Sequence, residues 1–470
     1  MYWSRSVTFF CALLVLATPP LQAKDHVWIV GGGYDLSSTQ AQIEKNVQFA
    51  SQVIQQQSPD SVLKLFFTDG DDSLSDVYEW RPVDDASNTM NPLARVYDMH
   101  VANGEAYRNH RIENAAGNTD AGELSQTLVE DFAALRKGDR VLFIFNGHGS
   151  RDSVDPWTNL VWLWNDTSLN VKEMDGLFSS IDTSVPARFI FTQCYSGGFA
   201  KLAKENTNRC GFMSVSASRQ AEGCAAGVDI GDYRDYTTFF FAALQNQSRT
   251  GDALLINPDR DANENVDLYE AHLYTLASAV STDIPRSTSE AYLLDWRPWH
   301  QYFFAPDNPQ NQYSQISDAL RQKYQVEADS AFSSKKRALQ QRLEQLNNVR
   351  KALLKKIDAL TTKLQKKLEK RFPALAYAYT QSAQTLLQTQ LSQLRTYLLA
   401  DPAYTELVEK QKEYQALKKQ RLAVKRDRMQ LQKIRHLDTL AQTHAYFHKH
   451  ASRTEMARYQ QLLQCEKSRL

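Results

Sequence analysis

The 470-residue chain has no apolar run long enough to span a bilayer. Its longest, from Val7 to Ala17, is about half of the roughly 20 residues a transmembrane helix needs, which excludes a membrane span. Cysteine is scarce: 5 in so long a chain exclude a disulfide scaffold. Net charge is also missing, with 54 Lys and Arg against 54 Asp and Glu. With 42 % hydrophobic residues the chain is globular rather than disordered or collagen-like. The zero balance conceals an asymmetry. Residues 1–314 carry 23 basic and 40 acidic side chains, a net −17, while residues 315–470 carry 31 and 14, a net +17.

The first 23 residues read as an export signal: Arg5, the short apolar run, then Thr18-Pro19-Pro20 and Leu21-Gln22-Ala23, with cleavage after Ala23. The mature protein is therefore expected to be secreted or periplasmic. Cys194, Cys210, Cys224 and Cys465 remain, and export permits disulfides. A Cys210–Cys224 pair is one reading, although sequence spacing does not set the Cα separation a disulfide needs.

Short apolar strands at 26–33, 62–67, 141–145, 189–192 and 211–216 alternate with helical patterns at 39–57, 124–135, 171–181, 198–205 and 236–244. Alternation of this kind predicts an α/β fold, a mostly parallel sheet sandwiched by helices, with ligands beyond the carboxyl ends of the strands. Composition shifts at 306–309, which divides the chain into 24–312 and 313–470. Beyond it there is no glycine, and Pro373 and Pro402 alone interrupt a Gln/Lys/Leu-rich stretch. Leu339, Leu343, Leu346, Leu353, Ile357, Leu360, Leu364 and Leu368 fall at steps of four and three, a heptad seam. The expectation is an all-α antiparallel bundle or coiled coil, with helices over 335–371, 375–400 and 403–437.

Two strand ends carry the chemistry. The run 141–145 enters Asn146-Gly147-His148-Gly149-Ser150, and the run 189–192 enters Gln193-Cys194-Tyr195-Ser196-Gly197-Gly198. Neighbouring parallel strands are about 5 Å apart, so His148 and Cys194 are expected to face each other at one sheet edge. A thiolate attacks a carbonyl, the imidazole protonates the leaving amine, and the N–H groups of Gly149 and Cys194 supply an oxyanion hole. The plainer reading of each residue alone is a small buried hydrophobe and a capped turn.

These two motifs resemble the caspase-like cysteine peptidases, the group that includes caspases, metacaspases, gingipains and legumain. The run 160–165 and Ser214-Val-Ser-Ala-Ser-Arg219 are similar to the legumain branch. The resemblance covers about 26–300 and implies an endopeptidase with a His148/Cys194 dyad and no required cofactor. It also implies a specificity pocket, carried over to Ser216 and to Asp235 or Asp232, with an acidic pocket favouring Arg, Lys or Asn. Legumain-type enzymes place a polar residue after the first strand to orient the histidine, whereas here that place holds Gly31-Gly32-Gly33. The third catalytic residue is therefore left without a name.

Residues 259–270 have oxygen-bearing side chains at positions 1, 3, 5, 9 and 12 of a twelve-residue calcium loop: Asp259, Asp261, Asn263, Asp267 and Glu270, with Asn265 between them. Glu264 replaces the glycine at position 6. The alternative is a polar loop in which Asp267 and Glu270 form a helix capping box. The basic region reads as a solvated bundle face, as a nucleic-acid or anionic-surface binder, or as a surface docked on the acidic domain, and the coiled coil offers a self-association surface. No aromatic-interleaved patch points to nucleic acid. Together these features predict an exported cysteine endopeptidase acting on protein or peptide and restrained by its helical region. The alternative is a catalytically silent caspase-fold protein acting in adhesion or assembly.

Overall fold

The computed structural model describes residues 24–81, 91–97, 104–300, 308–377 and 380–470, so the expected leader 1–23 lies outside the described residues. In chain order the strands are β1 (Asp25–Gly32), β2 (Val62–Phe67), β3 (Val77–Trp80), β4 (Glu105–Arg108), β5 (Arg140–Gly147), β6 (Gly149–Arg151), β7 (Asn159–Leu163), β8 (Thr167–Asn170), β9 (Ala187–Phe191), β10 (Arg209–Met213) and β11 (Arg286–Ser287). Six form the central sheet in the order β11-β10-β9-β5-β1-β2, parallel except for β11. β3 pairs with β4, and β6, β7 and β8 form a small antiparallel sheet.

Successive strand residues point to opposite faces, so a sheet covered on both sides must be apolar at every position. On one face Val27, Ile29, Leu142, Ile144, Ile190 and Phe212 pack with helices Ala41–Gln57, Tyr236–Leu244 and Leu268–Ser278. On the other, Trp28, Val30, Phe143, Phe145, Phe189 and Phe191 pack with helices Ala121–Ala133 and Val171–Phe178. The predicted mostly parallel, helix-covered sheet is thus observed. The strands missed in the sequence, β3, β4, β6 to β8 and β11, run from 2 to 5 residues, too short to set up a period.

Past residue 312 the chain is helical: Gln312–Tyr324, Asp329–Arg371, Gln381–Leu399, Pro402–His450 and Arg453–Glu466. The boundary at 312/313 does not separate two cores. Tyr313, Ile316 and Leu320, together with Leu431, Ile434, Leu437 and Leu440, belong to the first face's core, and Leu462 belongs to the second. The middle of the region packs on itself and on helix Asn91–Tyr97, through Leu93 and Val96. Leu346 and Leu353 meet Leu417, while Leu360, Leu364 and Leu368 meet Leu394, Leu398 and Leu407. The heptad seam is therefore covered within the chain rather than presented to a second copy. No helix among the described residues is long and apolar enough to cross a membrane.

Cys210 pairs with Cys465, not with Cys224, at a Cα separation of 5.9 Å. This bond joins β10 to the last helix across 255 residues of sequence, a contact invisible to any local reading.

Candidate active site

β5 and β9 are neighbours, with Phe145 opposite Phe191. His148 and Cys194 each lie three residues further on, so equal register carries both to the same carboxyl edge of the sheet. Thr192 fastens the two strand ends together: its N–H donates to the Phe145 carbonyl at 3.2 Å and its hydroxyl to Asn146 Oδ1 at 2.9 Å. The chain then turns sharply through Tyr195, whose φ of +61° is left-handed, into the short 3₁₀ helix Ser196–Ala203. Phe199 stacks on Phe191 with centroids 4.1 Å apart and holds this turn against the sheet. A Cβ on Gly149 would lie 2.5 Å from the Cys194 carbonyl oxygen, so only glycine lets the two loops meet this closely.

The edge is also where the chain order reverses, because β1, next to β5, leads outward to β2 on its other side. The loop leaving β1 supplies the missing partner of the histidine. His148 Nε2 lies 2.8 Å from the Ser38 carbonyl oxygen and 2.8 Å from Gln40 Oε1. A carbonyl only accepts, so Nε2 carries the proton and Nδ1 keeps the basic lone pair. Burial lowers the His148 pKa below the usual histidine value, which keeps the ring neutral at pH 7. Gly33 makes the arrangement possible, since a Cβ there would lie 2.3 Å from Ser38 Oγ. The loop is further closed by Ser38 Oγ accepting from the N–H groups of Tyr34 and Asp35. The three glycines thus replace no polar side chain. They let a later carbonyl reach the ring, and no sequence pattern marks a carbonyl.

Cys194 is covered. Its Sγ accepts the Ala221 N–H at 3.3 Å, and burial together with the nearby Asp283 pushes the thiol pKa up. Ala221 belongs to a loop held from outside by helix Pro402–His450. Arg426 grips Glu222 at 2.6 Å, and Arg219 donates to Gln432 Oε1 at 2.9 Å. Glu222 N–H in turn donates to Asp283 Oδ1 at 2.8 Å. Cys224, on the same loop, is free, and burial raises its pKa as well.

The residues assigned to a specificity pocket stand in different surroundings. Asp235 is buried, and its oxygens accept from Gln42 at 3.0 Å, Asn46 at 2.8 Å and Thr238 at 2.7 Å. Asp232 is exposed, 3.9 Å from Lys419. Ser216 alone adjoins the cysteine loop, its Cα 2.6 Å from where a Cβ on Gly197 would stand.

In the loop 259–270 the carboxylates of Asp259, Asp261 and Glu270 converge within 4.8 Å. Glu264 takes φ +64°, the left-handed conformation for which position 6 normally uses glycine. Asp267 and Glu270 also form the capping box of helix Leu268–Ser278, while Asn263 and Asn265 bond within the loop. A second cluster, Asp69, Asp76 and His110, was not singled out in the sequence because its members lie on separate segments. Both His110 nitrogens there are engaged, Nε2 by the Gly70 carbonyl and Nδ1 by the Ile112 N–H.

No family model and no curated protein matches the chain. A solved structure of a protein from Geobacter sulfurreducens aligns with 47 % of this chain and 82 % of its own, at 10 % identity and a TM-score of 0.29. That likeness is too slight to carry an argument.

Proposed function

We propose that the protein is an exported cysteine endopeptidase of the caspase-like, legumain-type kind, with Cys194 as nucleophile and His148 as its base. The observation that carries this reading is the shared register of β5 and β9, which ends both residues at one edge with an imidazole whose free nitrogen is Nδ1. In the reaction Nδ1 takes the thiol proton and Sγ bonds to the scissile carbonyl carbon. Its oxygen becomes an oxyanion facing the N–H groups of Gly149 and Cys194. The C–N bond then breaks as Nδ1–H passes its proton to the leaving amine, and water hydrolyses the thioester. No metal or cofactor is needed for these steps.

The described conformation is restrained, because Ala221 occupies the thiol and helix Pro402–His450 holds Ala221's loop. The silent-scaffold alternative predicts no role for either residue. The deciding experiment is turnover of a peptide library by wild type, Cys194→Ala and His148→Ala proteins of equal melting temperature. Cleavage lost in Cys194→Ala supports the proposal, and cleavage unaffected by both substitutions contradicts it.

A further inference from the structure

Near the end of helix Pro402–His450 two histidines stand one turn apart. His444 and His448 are at positions i and i+4, so they share a face of the helix. Their ring centroids are 4.3 Å apart, and the two Nε2 atoms are 3.1 Å from each other. As a neutral pair, one Nε2–H donates to the lone pair of the other. The same separation is that of two nitrogens on one metal ion. Bonds of about 2.05 Å put them ~3.3 Å apart in a tetrahedral site and ~2.9 Å apart at adjacent corners of a square.

Two other helices hold the rings in place. Tyr459, buried on helix Arg453–Glu466, sets its ring 6.0 Å from His444 and 5.9 Å from His448. Tyr313, buried at the start of helix Gln312–Tyr324, lies 5.9 Å from His444. Among the described residues no other hydrogen bond engages either imidazole, so both can carry their proton on Nδ1 and turn two lone pairs toward one ion. Burial, with His448 beside it, pushes the His444 pKa down to about 4, and the ring is unprotonated at neutral pH. His448 is exposed, which provides an entry path from solvent. No third His, Cys, Asp or Glu among the described residues converges on the pair, so water fills the remaining positions. Calcium and magnesium take oxygen ligands, whereas imidazole nitrogens suit zinc, copper and nickel.

We propose that His444 and His448 form a two-nitrogen chelate for a divalent transition-metal ion of the zinc and copper class. The ion takes the place of the shared proton, and the donating ring moves that proton to its own Nδ1 through solvent, so both rings stay neutral. The site uses none of the residues of the peptidase reading and stands independently of it. By bridging positions i and i+4 the ion closes the last turns of a helix that ends at His450. That end leads through Ala451 and Ser452 into the helix carrying Cys465, so the ion stabilises the folded chain there.

The test is equilibrium dialysis of the full-length Cys194→Ala protein against Zn²⁺, in excess calcium. The substitution removes the sheet-edge thiol as a competing ligand, and calcium occupies sites built from oxygen. One equivalent of zinc is expected to bind, and His448→Ala to weaken it about tenfold or more, at least the loss seen when a group supporting a metal ligand is removed. Because His448 is exposed, folding is not at stake in that variant. His450→Ala is the control. Its ring is exposed too but stacks on Tyr446 with centroids 4.1 Å apart, and its removal is expected to leave zinc binding unchanged. Zinc is also expected to raise the melting temperature of the parent protein and not that of His448→Ala. Absence of bound zinc, binding unaffected by His448→Ala, or equal losses in His448→Ala and His450→Ala would each overturn the site.

Discussion

The tautomer of His148 is set by what Nε2 can reach. With the Ser38 carbonyl and Gln40 Oε1 both 2.8 Å from that atom, rotation of the ring would lose two hydrogen bonds. Gln40 is a positioning residue, and Gln40→Ala is expected to lower kcat about tenfold with KM little changed, the usual loss when a partner that orients a functional side chain is removed. Because burial depresses the His148 pKa below its ordinary 6.5, the base stays neutral as pH falls through that value. The acid limb of the kcat profile is expected below pH 6.5, and a limb well above it would contradict the assignment. The raised Cys194 pKa works the other way: at neutral pH the thiol holds its proton, so iodoacetamide labels it more slowly than an unhindered thiol. Arg426→Ala, which releases Glu222 and with it the loop over the sulfur, is expected to speed that labelling about tenfold, since a half-buried charge-assisted pair contributes about 1.5 kcal/mol.

At the scale of elements, the last helix is a structural part of the sheet domain. Glu466 is buried and accepts from Thr288 Oγ1 at 2.6 Å and from Ser289 N and Oγ at 2.6 and 2.5 Å. Burial pushes its pKa up to about 7. The folded state therefore holds this proton more tightly than the unfolded chain does. The stabilisation is complete below the unfolded value of 4.5 and is lost as pH rises through about 7. Thermal unfolding of Glu466→Gln should show a flatter pH dependence between those values, by on the order of 3 kcal/mol. An unchanged slope would place the carboxylate in a solvated setting. Cys465→Ser should cost about 5 kcal/mol, because the loop closed by the Cys210–Cys465 bond spans 255 residues. For the loop 259–270, calcium is expected to raise the melting temperature of wild type but not of Glu270→Gln. Coincident curves in calcium and in chelator would leave Glu270 with its capping role alone.

The parallel sheet was legible because each strand is an unbroken apolar run, and the placement of His148 and Cys194 at one sheet edge because both follow those runs directly. Other parts were not legible because they depend on contacts between distant segments: Ser38's carbonyl on His148, Ala221 on Cys194, Cys465 on Cys210. The setting of Asp235 was hidden for the same reason. Nothing local to residue 235 reveals that Gln42 and Asn46, almost 200 residues away in sequence, satisfy its carboxylate.

Across the whole molecule, the opposite charges of the two halves suggest a Coulombic clasp. The interface is instead largely apolar, with Leu431, Ile434, Leu437 and Leu440 joined to the sheet domain's core and ion pairs such as Glu222–Arg426 at its margin. Raising salt from 0.1 to 1 M screens only that margin, so activity is expected to change little. A protein ending near Asn311 loses those leucines, Leu462, the disulfide and Glu466, and is expected to unfold rather than become active. A folded, active protein of that length would refute the shared core. The central claim, that Cys194 is a nucleophile held under a loop by helix Pro402–His450, is tested most directly by peptide cleavage in the Arg426→Ala protein with and without Cys194→Ala. The account predicts cleavage at least as fast as wild type in the first and none in the second; cleavage that persists without Cys194, or no cleavage in either, would contradict it.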